Sequence, residues 1–141
     1  METDQSALEH LPVRECLRLM AWVSVGRIIY TRNALPVAEL VNFAMDRGDI
    51  VIRAAYSGKL AAANAVVAFE ADDVDYASHT GWSVTVVGQS QEVTDAGEIA
   101  RLREIGIGTW APGERDQFIR ITPGIVTGRR LRATGSHRPQ V

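Results

Sequence analysis

Two dipeptides, Asn33-Ala34 and Arg47-Gly48, constrain this chain more than anything else in it. Each lies between runs that read as strands: residues 26–32, 35–46 and 49–55. A two-residue connection joins only antiparallel neighbours, because a parallel pair needs a crossover of a dozen or more residues. Three consecutive strands are therefore predicted to lie side by side. Further strand patterns cover 65–71, 82–93, 117–122 and 125–131. Gly88 marks a bulge inside one of them, and Pro123-Gly124 separates the last two. A helix is predicted over 12–22, where Val13, Cys16, Leu17 and Met20 form an apolar stripe behind Pro12. A second is predicted over 95–105. Asp95 and Glu98 pattern as a capping box, Ile99, Leu102 and Ile105 give the stripe, and Gly106 ends it. Strands and helices do not alternate regularly, which excludes a doubly wound fold. The expected class is mainly β (α+β): an antiparallel sheet long enough to curl into a small barrel, with a few peripheral helices.

At 141 residues the chain suits one domain, expected over 1–131, with a polar tail over 132–141. A net charge of −2 gives no basic surface for nucleic acid. No apolar run reaches the roughly 20 residues of a membrane span, and the polar first ten residues do not read as a signal peptide, so a cytoplasmic setting is expected. Cys16 is the single cysteine. It falls on the first helical stripe, where a small buried hydrophobe is expected rather than a reactive thiol. His10, His79 and His137 are dispersed. Asp72, Asp73 and Asp75 are expected in an acidic, solvated loop near His79, and no metal site is expected. Fingerprints for a serine hydrolase elbow, a Walker loop or a Rossmann turn are missing.

The chemistry concentrates in residues 49–64. On the strand over 49–55, Ile50 and Ile52 share one face, and Val51 and Arg53 share the other. Ala54, Ala55, Ser57 and Gly58 are small enough for close backbone approach, and Lys59 follows at the start of a predicted helical turn. A guanidinium, an ammonium and unpaired helix-start amides together suit a phosphate group. Two other places carry weaker signals. Trp82 begins a strand and reads either as core packing or as a wall for a planar ring. Ser83 heads a row with Thr85, Val87, Gln89 and Gln91 that offers hydrogen bonds along one face. Trp110 lies in the loop 107–115, either pinning it or forming a lid. Arg120, between Ile119 and Ile121, needs either a carboxylate or a ligand as partner.

Taken in order, ECLRLM with VGRI, VNFAMD, IVIRAAYSGKL, VAFEADDVD, GWSVTVVGQSQEV and WAPGERDQFIRITPGIVTGRRL resemble the pyridoxamine 5′-phosphate oxidase-like family, the FMN-binding split barrel. The likeness is strongest to its actinobacterial flavin-nucleotide-binding and nitroimidazole-resistance-like members. The resemblance implies a homodimer with FMN at the subunit interface. It places the phosphate on Arg53 and Lys59, the ring near Asn42, Trp82 and Ser83, and completes the site with Trp110 and Arg120. Two positions depart from the family pattern: Leu40 stands where proline is frequent, and Ala54 where threonine often supplies a hydroxyl beside the phosphate. The expected activity is electron transfer from reduced nicotinamide to a small acceptor. A flavin-binding module without turnover, or the same fold holding a deazaflavin coenzyme or haem, are the alternatives.

Overall fold

A computed structural model describes residues 8–55, 63–108 and 116–132. The described elements, in chain order, are β1 (Leu8–His10), α1 (Val13–Met20), β2 (Val25–Arg32), β3 (Leu35–Asp46), β4 (Asp49–Ala55), β5 (Val66–Asp75), β6 (Thr80–Glu92), α2 (Ala96–Arg103) and β7 (Asp116–Leu131). Every ladder is antiparallel. The strands run β1-β7-β4-β3-β2-β5-β6, and β6 closes back onto β7. This is the split barrel that the sequence led us to expect.

Both tight turns form where the sequence places them. Arg32 pairs with Leu35 and Asp46 with Asp49, leaving two-residue connections. Asn33, Ala34, Arg47 and Gly48 all have positive φ, at 53°, 63°, 55° and 84°. Positive φ at both central residues is the signature of the mirror-image turn that matches strand twist.

Four expectations need correction. Residues 8–10 form an unforeseen strand, β1, which pairs with Arg129–Leu131 at the end of β7. Asp72, Asp73 and Asp75 belong to β5 rather than to a loop, pairing with Ser83, Trp82 and Thr80. The segments 117–122 and 125–131 are one strand. Pro123-Gly124 is a bulge in it, because Val87 faces Ile125 while Gly88 faces Pro123. The first helix spans only 13–20, with Pro12 at its N-cap. The helical turn expected around Lys59 lies outside the described residues.

The interior follows from the two-residue side-chain period. Phe43, Ile50, Ile52, Val67, Phe69, Val84, Val86, Ile119 and Ile121 point inward and are buried. Cys16, Leu19 and Met20 of α1 join the same core. Cys16 is fully buried, and burial pushes its thiol pKa up, as suits a packing residue. A second, smaller core lies outside the barrel wall, where Val51 and Phe118 meet Leu102 of α2 and Ile107 beyond it. None of the described helices is long and apolar enough to cross a membrane.

Candidate functional site

The outer face of β3, β4 and β7 carries the candidate phosphate residue. The register opposes Asn42 to Arg53, and Arg53 to Phe118. Directly opposed residues share a face, so all three emerge together on the outside of the barrel. Arg53 is half-buried. Its Nη1 donates to the Ile107 carbonyl at 2.6 Å, and its guanidinium carbon stands 5.9 Å from the Phe118 ring centre. Carbonyl and ring hold the guanidinium from two sides.

Further along this face the register opposes Ala44 to Val51 and Val51 to Arg120. Arg120 is therefore in the next pair of rows toward the Arg47-Gly48 turn. The sequence allowed it a carboxylate or a ligand as partner, and the structure gives it carboxylates. Nη2 donates to Asp46 and to Glu98, each at 2.8 Å, and Nη1 donates to Asp49 at 3.1 Å. Arg101 of α2 forks onto Asp46 at 2.8 and 3.2 Å and reaches Glu98 at 2.6 Å. The Asp46 side chain is only 9% exposed. Its hydrogen bond from Arg101 holds its pKa well below the usual carboxylate range, with Arg120 adding to the effect and burial opposing it. The Asp95 carboxylate accepts from the Glu98 N–H at 2.9 Å, as the capping pattern predicted. The Glu98 carboxylate serves the arginines.

Trp82 and Ser83 separate. Adjacent strand residues face opposite ways. Trp82 points inward, is 8% exposed and belongs to the main core, which matches the packing reading of that tryptophan. Ser83 points outward into a groove of about 450 Å³ between β1, β6 and β7. His10, Leu11, Thr85, Thr127 and Arg129 also line it. Sequence inspection had found Ser83 and Thr85. It missed Thr127 and Arg129, because only the β6–β7 register opposes Thr85 to Thr127 and Ser83 to Arg129. Across the β5–β6 ladder two carboxylates oppose these hydroxyls: Glu70 faces Thr85 and Asp72 faces Ser83. Burial, then the neighbouring Asp72, push Glu70 up to about 7, against the pull of Arg27 at 3.2 Å.

Arg53 and Asn42 thus share one outer patch, and Ser83 lies in a different one. The side chain of Ala54 and the residues Lys59 and Trp110 fall outside what the structure describes. Among the described residues no cluster of histidine, cysteine and carboxylate groups could hold a metal ion.

The model of the family described as pyridoxamine 5′-phosphate oxidase matches residues 12–130. The chain belongs to this family. The chain is 39% identical over 136 residues to an uncharacterized protein of Mycobacterium tuberculosis, an alignment covering 90% of this chain and 89% of that one. A crystal structure from Corynebacterium glutamicum, named for pyridoxamine 5′-phosphate oxidase, has 31% identity and a TM-score of 0.79 and covers 90% of this chain and 95% of its own. The FAD binding protein from Mycobacterium smegmatis has 32% identity and a TM-score of 0.76, with 88% and 98% covered. The match to the pyridoxamine 5′-phosphate oxidase family spans α1, the closed barrel and almost all of β7.

Proposed function

We propose that this protein binds a flavin nucleotide, with FMN as the first candidate, between two copies of the chain. The observation that carries the reading is the placement of Arg53. It stands beside Asn42 on an outer barrel face, buttressed by Ile107 and Phe118, at the end of β4 that leads toward Lys59. Charge-assisted donation from a held guanidinium suits a phosphate monoester. The similar mycobacterial FAD binding protein supports a flavin as what that phosphate carries.

Geometry supports the two-copy arrangement. Arg53 and Ser83 both face outward, but on different parts of the closed barrel. Around the closed ring the shorter way runs through β7, where two ladders separate their strands, roughly 10 Å of arc, so the larger separation lies along the strands. Along β7, the partner of Arg53 is Phe118 and the partner of Ser83 is Arg129, a separation of roughly 30 Å. A mononucleotide held at Arg53 would not reach the Ser83 groove of its own chain. Opposed copies would bring the Arg53 patch of one against the Ser83 groove of the other.

In this arrangement Arg53, with Lys59, would hold the phosphate, and Asn42 would meet the adjoining chain of the ligand. Ser83, Thr85 and Thr127 of the second copy would offer hydroxyls to the polar edge of the ring. The flavin, when bound, supplies the redox chemistry; the protein supplies position, charge and exclusion of water. We assign the turnover to electron transfer from reduced nicotinamide to a small acceptor. The test is a visible spectrum of the purified protein titrated with FMN, with analytical ultracentrifugation alongside. Flavin bands that perturb and saturate at micromolar FMN, in a dimer, are expected. Absence of binding at that concentration overturns the flavin reading, and a monomeric holoprotein overturns the shared site.

A further inference from the structure

We infer that the ion-pair network joining Asp46, Glu98, Arg101 and Arg120 is a positioning device for Arg53. This rests on the reading of Arg53 as the flavin-phosphate residue. It assigns to Arg120, to Glu98, read from the sequence only as a capping residue, and to Asp46 and Arg101, which the sequence did not single out, a role that acts through Arg53 and not on the ligand.

Contacts lead from the network to the guanidinium without a break. Asp46 and Asp49 flank the Arg47-Gly48 turn and so belong to the barrel wall. Arg120 on β7 donates to both, and also to Glu98 on α2. Arg101, one turn further along α2, forks onto Asp46. The helix is therefore fastened to the wall by two arginines that converge on one carboxylate. Its C-terminal end is fastened by packing: Leu102 is fully buried and Ile107 is 4% exposed, both against Val51 and Phe118. Gly106, at φ 88°, turns the chain between them. That turn delivers the Ile107 carbonyl to Arg53 Nη1 at 2.6 Å.

The apolar cluster alone would leave α2 free to slide, because hydrophobic contact is not directional. The forked pairs fix its position along the barrel. A shift of α2 carries Ile107 with it and releases Arg53 from its acceptor. The network thus sets how well Arg53 is oriented for a phosphate, while itself making no contact with the ligand.

The experiment compares FMN with riboflavin, which lacks the phosphate, by flavin fluorescence titration of wild type, Arg101→Ala, Glu98→Gln and Arg53→Ala. Side-chain Nε–Hε spectra of the flavin-free proteins are recorded in parallel. Wild type is expected to prefer FMN, and Arg53→Ala to lose that preference. Arg101→Ala is expected to lower the preference roughly 2- to 30-fold, the range of coupling through packed networks, with riboflavin affinity kept. Glu98→Gln, which leaves the Arg101–Asp46 fork in place, is expected to shift it in the same direction by less, and serves if Arg101→Ala does not fold. The Arg53 Nε–Hε resonance should move or broaden in both variants. An unchanged preference with an unmoved Arg53 resonance overturns the positioning role. Equal affinity of wild type for FMN and riboflavin overturns the phosphate reading of Arg53 itself, and the positioning role falls with it.

Discussion

Gly88 faces Pro123 across the β6–β7 ladder, while the preceding residue of β6, Val87, faces Ile125, so Gly124 is the extra residue of β7. This one insertion changes which residues of β7 look inward. Before it, Ile119 and Ile121 are buried; after it, Gly128 is, and Val126 packs against the core. A Cβ at Gly88 would overlap the Thr122 carbonyl oxygen, a backbone atom that cannot rotate away. Gly88→Ala is expected to destabilise the barrel by about 1–3 kcal/mol, the range for overpacking. Urea unfolding followed by tryptophan fluorescence measures it. An unchanged midpoint would show that the bulge has room that its register denies.

The Asp46 carboxylate, held between Arg101 and Arg120, gives a second prediction. Its folded pKa is depressed, so it contributes stability above its unfolded value near 3.8 and loses it as pH falls through and below that value. Asp46→Asn should remove this contribution and flatten the acid side of the pH–stability curve. Because Arg120 keeps Asp49 and Glu98, and Arg101 keeps Glu98, the cost at neutral pH is expected at about 1–3 kcal/mol, below the full range for breaking a buried pair. Thermal melts of both proteins between pH 3 and 7 decide the matter. Parallel curves would mean that the carboxylate is not coupled to folding.

Glu70 runs the other way. Burial and Asp72 raise its pKa to about 7, so the folded protein holds a proton that the unfolded chain, near 4.5, has released. Stability contributed by this group is present below about pH 4.5 and declines as pH rises toward 7. Glu70→Gln should abolish that decline, and the variant should melt higher than wild type at pH 8. Its size will be modest, since the Arg27 side chain opposite is 51% exposed and solvent screens the site. Melting temperatures at pH 5 and pH 8 test the sign. A wild type that gains stability over this interval more than the variant does would refute it.

How much of this was legible beforehand depends on how local each cause is. The Asn33-Ala34 and Arg47-Gly48 turns were legible because their backbone chemistry is contained in two residues. The outward direction of Arg53 followed from alternation with Ile50 and Ile52. The partners of Arg120 did not, because Glu98 and Asp46 lie 22 and 74 residues away and only register and helix docking bring them together. Asp72, Asp73 and Asp75 have poor strand propensity, and pairing with β6 overrode it. β1 is three residues long, too short for a period to show. Trp82 and Ser83 invited joint assignment as neighbours in sequence, although neighbours in a strand cannot share a face.

The β2–β3 turn offers a stabilising change. Ala34 sits at φ 63°, in the left-handed region where an L-residue with a Cβ is strained by roughly 1–2 kcal/mol. Glycine relieves this but adds unfolded-state freedom, which offsets part of the gain. Ala34→Gly is expected to raise stability by about 0.5–1 kcal/mol net. It should leave flavin titrations unchanged, because the turn lies at the far end of the β2–β3 hairpin from the Val25–Asn42 pair. A lowered melting temperature would count against the turn geometry.

The shared-site reading yields the most discriminating prediction. Arg53→Ala should weaken FMN binding by about 1.5–3 kcal/mol, the scale of a hydrogen bond to a charged group. Ser83→Tyr should block the groove without touching the Arg53 patch. If each flavin is held by Arg53 of one copy and the groove of the other, a mixed dimer of these two variants contains one site with both defects and one with neither. Co-expressed, differently tagged variants purified as the mixed dimer should therefore bind one FMN per dimer at wild-type affinity, although each parent dimer binds poorly. If both halves of a site came from the same chain, every site in the mixed dimer would carry a single defect and no tight binding would return. The stoichiometry of the mixed dimer thus decides between a site inside one barrel and a site between two.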